Sequence, residues 1–156
     1  MKTGMVLGCL TALIFSGCSA AKTADPGRLE KPERFDNVTP RGCYDGDTCY
    51  FDIADIPLFG RSAPVRVLNI DTPEIKGQCP EEIEAAERAR DAMLEWLQAA
   101  ERVDLVGVAG LDKYRRILAH IEADGEDLGE RLVTRGLARP WDAKRWGQWC
   151  GPDARK

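Results

Sequence analysis

The stretch from Val65 to Glu74 combines an apolar strand with side chains that can do chemistry. Its apolar residues predict a strand from Val65 to Ile70, and Pro73 ends the strand because proline has no N–H for a ladder. Arg66 is a planar, permanently charged group that suits phosphate. Three residues that offer oxygen ligands or a proton acceptor follow the strand: Asp71, Thr72 and Glu74. Such a cluster at a strand end predicts a catalytic or metal-binding site.

Two other segments carry unusual polar chemistry, namely Asp45-Gly46-Asp47-Thr48 and Lys113-Tyr114-Arg115-Arg116. Each segment alone has an ordinary explanation, since Asp-Gly is a common turn and an arginine pair is a common solvated edge. The combination of all three segments in this order is far less common. The chain has a net charge of −4, so it would hold a polyanion only through a local basic patch, for which Lys113-Tyr114-Arg115-Arg116 is a candidate.

Together these segments resemble the staphylococcal nuclease, or thermonuclease, family. The resemblance runs from about Cys43 to Arg139 and includes, in consistent spacing, Leu118-Ala119, Ala123-Asp124-Gly125, Leu132-Val133 and Arg135-Gly136-Leu137-Ala138. It implies an OB-fold domain that cleaves DNA and RNA with calcium. It also implies attack on the 5′ side of phosphorus, which leaves 3′-phosphate ends.

The resemblance also assigns residues to roles. Calcium would be held by the carboxylates of Asp47 and Asp71 and by the backbone carbonyl of Thr72. The general base is Glu74, and the two phosphate-binding arginines are Arg66 and Arg116. Two further positions, Lys113 and Tyr114, match residues near the bound nucleotide.

Physical chemistry supports these roles without the family name. Attack of water on a phosphodiester adds negative charge to the phosphoryl oxygens, and two arginines with a hard cation offset that charge. Calcium suits a loosely shaped, oxygen-only site, and a carboxylate within reach of the water can take its proton. Lysine in place of either arginine keeps the charge but loses the fork, so it should impair activity.

One residue departs from the family pattern. A glycine usually precedes the second arginine, whereas this chain has Arg115 there. If that glycine has a positive φ, Arg115 must strain or shift the loop. The Leu118-Ala119 register favours Arg116 as the catalytic group, and Arg115 is kept as a candidate substrate contact.

The predicted elements run as three strands, a helix, two strands and a helix. They comprise a hairpin that turns at Asp45-Gly46, the strand Val65 to Ile70, a helix from Pro80 to about Ala100, strands at Val103 to Val106 and Arg116 to Ile121, and a helix from about Asp127 to Arg135. This order predicts a mainly β fold with helices, a five-stranded OB-fold barrel with a helix between strands 3 and 4 and a short helix after strand 5. A small open α+β sheet fits the pattern nearly as well.

The first 40 residues are interpreted as appendages. Residues 1–17 predict a signal peptide, and Phe15-Ser16-Gly17-Cys18 resembles a lipobox in which Cys18 becomes lipid-modified. Cleavage after Ser19-Ala20-Ala21 is the alternative. Residues 18–40 predict a flexible tether, and residues 41–156 a monomeric nuclease domain. Both readings export the protein, as a lipid-anchored cell-envelope lipoprotein or as a secreted or periplasmic protein.

Four cysteines remain after Cys9 and Cys18 are set aside, and an even number in an exported chain suggests two disulfides. The favoured pairing joins Cys43 to Cys49 and Cys79 to Cys150. Zinc is the alternative, although the chain has no Cys-x-x-Cys pair. The second bridge would clamp the C-terminal end in place of the C-terminal helix of the staphylococcal enzyme.

The remaining aromatic residues and the histidine have ordinary interpretations. Three tryptophans alternate with cations near the end, and they suit stacking of single-stranded bases or, preferably, covering of the barrel: Trp141, Trp146 and Trp149. His120 is expected to be structural. Two rival functions remain, a nucleic-acid-binding module without catalysis and a protein-binding barrel at the cell envelope.

Overall fold

Nine strands and two helices make up the part of the chain that the computed structural model describes, which is residues 33–54, 56, 61–142 and 149–151. The strands are β1 Arg34–Phe35, β2 Thr39–Cys43, β3 Thr48–Asp52, β4 Ala63–Val67, β5 Ile70–Asp71, β6 Val103–Leu111, β7 Ile117–Ala123, β8 Glu126–Asp127 and β9 Arg139–Pro140. The helices are α1 Pro80–Ala99 and α2 Leu128–Thr134. The domain is therefore mainly β with two helices, as the sequence predicted.

Seven strands form one mixed sheet in the order β1-β6-β7-β4-β3-β2, with β8 beside β7. Neighbours pair antiparallel except β4 and β7, which pair parallel with Val65 opposite Ile117. The two remaining strands, β5 and β9, pair with each other. Among the described residues this sheet is an open path with β1 and β2 at its ends, and it has more strands than the five expected. The additional strands, β1 and β8, are only two residues long, so no alternation of apolar residues could indicate them in the sequence.

The strand expected from Val65 to Ile70 is interrupted. β4 ends at Val67, and a turn in which Asn69 has a φ of 62° separates it from β5. Asparagine tolerates this left-handed conformation better than most residues, so the break was hidden within an apolar run. Conversely, β6 continues to Leu111, past its expected end, because a register shift between Val106 and Gly110 accommodates the glycines.

The helix α1 begins at Pro80, as expected, and packs one face into the core. Its buried face contains Glu82, Ala86, Ala89, Met93 and Leu97. The helical spacing of apolar residues in the sequence predicts that Ile83 joins this face, but Ile83 is exposed and the acidic Glu82 is buried in its place. The helical period was therefore right, but the orientation of the first turn was not.

The short helix α2 has both predicted ends. Asp127 caps it, with Oδ1 accepting the N–H of Glu130 at 2.9 Å. At the other end Gly136 has a φ of 69°, and the N–H of Leu137 donates to the carbonyl of Leu132 at 2.9 Å. This is a Schellman cap, which satisfies the last carbonyls of the helix.

The described residues begin at residue 33, within the segment 18–40 that was expected to be a tether, and residues of this segment contribute to the sheet and the core. β1 pairs with β6, and Phe35 and Val38 are buried in the core. Two isolated apolar residues among prolines and charges gave no periodic signal in the sequence. Residues 1–17 and Cys18 lie outside the described residues. Within the described ranges, no helix is both long and apolar enough to cross a membrane.

Two disulfides join the favoured pairs, Cys43 to Cys49 and Cys79 to Cys150. Their bonds occupy the four cysteines that a zinc site would have needed. The first bridges directly opposed residues of β2 and β3. The second ties the residue before α1 to the C-terminal segment 149–151.

Removing the two disulfides should have unequal effects on stability. They span 6 and 71 residues of sequence, respectively. In the chain-entropy model, Cys79→Ser with Cys150→Ser lowers the free energy of unfolding by about 4 kcal/mol, against about 2 kcal/mol for Cys43→Ser with Cys49→Ser. Urea unfolding of both double variants measures the difference. Equal losses of free energy in the two double variants would contradict the view that the disulfides stabilise by restricting the unfolded chain.

Candidate active site

An open cleft of about 890 Å³ collects side chains from six segments: the β2–β3 loop, β3, β4, the segment after β5, the β6–β7 loop and the residue after β9. It is lined by Tyr44, Asp45, Asp47, Thr48, Tyr50, Arg66, Glu74, Asp112, Lys113, Tyr114, Arg116 and Trp141. The three polar segments singled out in the sequence therefore meet in one place. A second groove, between α1 and α2, contains none of the predicted site residues.

The β2–β3 loop is longer than the two-residue turn expected at Asp45-Gly46. It closes with the N–H of Tyr44 on the carbonyl of Thr48 at 2.8 Å. Asp45 is buried and its Oδ1 accepts the N–H groups of Asp47 at 3.1 Å and Thr48 at 2.7 Å. A Cβ at Gly46 would lie 2.8 Å from the Cβ of Ala89, so only glycine lets this loop pack against α1.

Asp47 is buried at the base of the cleft and contacts three side chains. Its Oδ2 accepts the hydroxyl of Thr72 at 2.8 Å and pairs with Nη1 of Arg66, while its Oδ1 accepts the hydroxyl of Thr48 at 3.1 Å. Arg66 also donates from Nη2 to the carbonyl of Ile70 at 3.2 Å. The pairing of Thr48 opposite Arg66 in β3 and β4 brings these groups together.

Arg66 is electrostatically strained. Burial lowers the pKa of its guanidinium and the charge of Arg116 lowers it further, whereas Asp45, Asp71 and Glu74 act in the opposite direction. Two cations held close together in a partly desolvated cleft form a strong attractor for a phosphate group.

The second arginine, Arg116, is fixed by Asp112. Its Nε donates to Oδ2 of Asp112 at 2.8 Å, its Nη2 lies 2.8 Å from the same oxygen, and its backbone N–H donates to Oδ1 at 2.9 Å. Its Nη1 donates to the hydroxyl of Thr48 at 2.9 Å. Burial alone would raise the pKa of Asp112, but its bonds to Arg116 outweigh burial and lower it. The guanidinium is therefore held between Asp112 and Thr48.

Glu74 is exposed on the wall of the cleft. Protein on either side still desolvates its carboxyl and raises its pKa, and the nearby charge of Asp45 raises it further, while Arg66 opposes both. Burial likewise raises the pKa of Asp45, against the effect of its bond to the N–H of Thr48. Burial is the largest cause of the raised pKa of both carboxyl groups.

Asp71 and Thr72 lie beneath the cleft rather than on its wall, and both are buried. Oδ2 of Asp71 accepts the indole N–H of Trp149 at 2.9 Å and Nη2 of Arg139 at 3.1 Å. The guanidinium of Arg139 also stacks 3.8 Å from the centroid of the Trp149 ring. Trp149 is thus a structural partner of Asp71 and Arg139.

The donor set is chemically suited to calcium. Asp47 and Asp71 offer carboxylate oxygens and Thr72 a carbonyl oxygen, all three residues are buried, and calcium prefers oxygen ligands of this kind. The residues present therefore fit a calcium ion by their chemistry.

The rim of the cleft carries exposed cations and aromatic rings. Nζ of Lys113 lies 4.9 Å from the centroid of Tyr114, which is exposed, and Trp141 is 55% exposed across the cleft. Arg115 is exposed but does not line the cleft. Trp146 lies outside the described residues. His120 sits on β7 with Nδ1 2.8 Å from Oδ2 of Asp127, away from the cleft lining.

Sequence reasoning missed three residues of the site: Asp45, Thr48 and Asp112. Asp45 was interpreted only as a turn residue, although its side chain also faces the cleft. Asp112 lies four residues before Arg116, and an acid at that spacing in a β-hairpin loop was the available signal. Thr48 belongs to the quoted motif, but its contacts with Asp47 and Arg116 depend on the sheet register.

The Arg115 position is strained as anticipated, with a φ of 65°. Replacing Arg115 by glycine should raise the free energy of unfolding by about 0.5–1 kcal/mol, because relief of the left-handed strain exceeds the added entropy of the unfolded chain. Urea unfolding measures the gain. Arg115→Ala is the control, since it removes the side chain but keeps Cβ, and it should bring no gain. A gain shared by both variants would trace to the side chain instead.

The mainly β fold brings two arginines, Arg66 and Arg116, into one open cleft beside the buried carboxylates of Asp45 and Asp47, an arrangement that suits binding of an anion.

Comparison with known proteins agrees with this interpretation. Residues 64–148, more than half of the chain, match the family model described as staphylococcal nuclease homologue. Over 113 residues the chain is 33% identical to Endonuclease YncB of Bacillus subtilis (strain 168), a match that covers 66% of this chain and 47% of that protein. The chain thus spans about half the length of this curated relative. The protein belongs to the staphylococcal nuclease homologue family.

Proposed function

We propose that this protein is an exported, calcium-dependent nuclease that hydrolyses phosphodiester bonds in DNA, and in RNA as a second substrate, with low sequence specificity. The observation that carries the proposal is the convergence of Glu74, Arg66 and Arg116 on one cleft above buried Asp47. Family membership and the endonuclease name of the Bacillus relative support it.

The residues divide the work by position. Glu74, exposed on the cleft wall, accepts a proton from the water that attacks phosphorus. Arg66 and Arg116 donate N–H bonds to the phosphoryl oxygens as charge develops on them, and their anchors Asp47 and Asp112 hold them in place beforehand. Bound calcium would supply further positive charge at those oxygens, held by Asp47, Asp71 and the carbonyl of Thr72.

Substrate contacts outside the reacting phosphate are assigned to the rim. Lys113, Tyr114 and the exposed Trp141 offer a cation and two flat rings, which suit unstacked bases and backbone of a single strand. Arg115, exposed beside them, adds charge to the approach of the substrate. The protein acts as a monomer in this proposal.

The OB-type barrel is part of the proposal as well. The five longest strands are neighbours in the sheet, in the order β6-β7-β4-β3-β2. In the chain they follow the order β2, β3, β4, β6, β7, and α1 lies between β4 and β6, the third and fourth of these strands. An OB fold is a five-stranded, partly open barrel, so this path supports the assignment.

Export and lipid anchoring at Cys18 rest on the sequence, and the two disulfides support an oxidising location. Anchoring would place the protein in the cell envelope, facing the periplasm or the outside. Cys18→Ser should move the protein from the membrane fraction to the soluble exported fraction. A wild-type protein that is already in the soluble exported fraction would favour secretion without a lipid, and a Cys18→Ser variant that stays in the membrane fraction would refute anchoring through Cys18.

Degradation of single-stranded DNA by the full chain, with calcium and with a calcium chelator, tests the proposed activity. Cleavage only with calcium, with 3′-phosphate ends on the products, is the expected result. Binding of DNA without cleavage would identify a nucleic-acid-binding module. If the protein neither binds nor cleaves DNA, the result would favour a protein-binding barrel.

A further inference from the structure

A buried acid that the proposed chemistry does not use lies under the loop that carries Glu74. Glu82, in the first turn of α1, is 3% exposed, whereas its neighbours Glu81 and Ile83 both face solvent. Burying a carboxyl group in place of an isoleucine costs free energy unless its oxygens are hydrogen-bonded. The burial of Glu82 therefore requires hydrogen-bond donors for both of its carboxylate oxygens.

Both oxygens of Glu82 accept backbone N–H groups from the loop between β5 and α1. Oε2 accepts the N–H of Gln78 at 2.8 Å, and Oε1 accepts the N–H of Glu74 itself at 3.4 Å. One side chain thus holds the loop at two points, and one of them is the main chain of the candidate base. Within the described ranges, no lysine or arginine forms an ion pair with Glu82, so these N–H groups are what its oxygens bind.

The loop is shaped to close on this carboxyl. A Cβ added at Gly77 would lie 2.6 Å from Cγ and 2.7 Å from Cδ of Glu82, so only glycine permits the approach. The disulfide from Cys79 to Cys150 fixes the end of the same loop, and Sγ of Cys150 lies 3.4 Å from Oε2 of Glu82. Loop, helix and C-terminal segment therefore meet at one buried group.

We propose that Glu82 is a positioning residue that holds the main chain of Glu74 in its working place. This inference rests on the proposed function, in which Glu74 is the base. A shift of about 1 Å in a reacting group can reduce a rate by about 10²-fold. Loss of one acceptor beneath Glu74 should therefore lower the rate of cleavage, although Glu82 itself does not contact the substrate.

Glu82→Gln, with Glu81→Gln as the matched control, tests the proposal. Each variant removes one carboxylate from the first turn of α1, but only Glu82→Gln replaces an acceptor of the loop. The glutamine keeps one acceptor oxygen, which can stay on the N–H of Gln78, but its NH2 group cannot accept the N–H of Glu74. Glu82→Gln should therefore lower kcat by about 10-fold with KM nearly unchanged, and accelerate amide hydrogen exchange at Glu74 by about 10-fold. Glu81→Gln should leave both quantities at the wild-type value.

Added to Glu74→Gln, the Glu82→Gln change should cost no further activity, because its effect acts through the base. An equal loss in both backgrounds, an unchanged exchange rate at Glu74, or an unchanged kcat would each overturn the proposal. Should Glu82→Gln fail to fold, Gly77→Ala displaces the loop without altering the acid and should give the same loss of kcat. A wild-type protein that cleaves nothing would instead refute the proposed function, whatever the exchange rates.

Discussion

Replacing Glu74 by glutamine should lower kcat by a factor of about 10²–10⁴, the usual contribution of a positioned general base. The amide has nearly the same size but cannot take a proton from water. Among the described residues, the carboxyl group of Glu74 forms no hydrogen bond or ion pair, and the residue is exposed on the cleft wall, so its loss should leave folding intact. Cleavage of single-stranded DNA in calcium measures kcat, and calorimetry measures calcium binding, which should change little.

Glu84→Gln is the control for this prediction. Glu84 is an exposed acid on α1 outside the cleft, so the same change of charge there should leave the rate unaltered. A Glu74→Gln variant with full activity would remove Glu74 from the mechanism. A variant with weaker calcium binding would make Glu74 a metal ligand rather than the base.

The sequence predicted those parts of the fold that local pattern determines. The period of α1 and the cap residues of α2 are local features, and both helices form where expected. The even number of cysteines indicated two disulfides, and the favoured pairing is the one that the structure contains. The parallel contact of β4 with β7 joins residues that are distant in the sequence, so no local pattern reports it.

The site was partly predictable for a related reason. Strand ends and loops carried Asp47, Arg66, Glu74 and Arg116, and the sheet brings all four to one cleft. The orientation of Asp71 was not predictable, because its partners Trp149 and Arg139 are far away in sequence. Sequence reasoning assigned Asp45 no role in the site, because an Asp-Gly pair is already explained by a turn. In the structure the same loop places the buried carboxylate of Asp45 in the cleft that contains the two arginines.

Substitution of Arg116 by lysine should lower kcat by about 10²–10³-fold, the cost of losing one oriented donor to the transition-state oxygens. Lysine keeps the charge but cannot maintain the contacts that Nε and Nη2 make with Asp112 while a third nitrogen reaches Thr48. The released carboxylate of Asp112 would also add negative charge to the cleft. Single-turnover cleavage at saturating calcium separates the chemical step from substrate binding.

Arg115→Lys is the matched control, because Arg115 is adjacent, equally charged and exposed outside the cleft lining. Its kcat should stay within about twofold of the wild type, since surface arginines away from the reacting phosphate add little beyond electrostatic attraction. The reverse outcome, an inactive Arg115→Lys and an active Arg116→Lys, would mean that the loop rearranges when substrate binds. The left-handed φ of 65° at Arg115 would then be the strain that drives the rearrangement, because both residues share the loop that Asp112 closes.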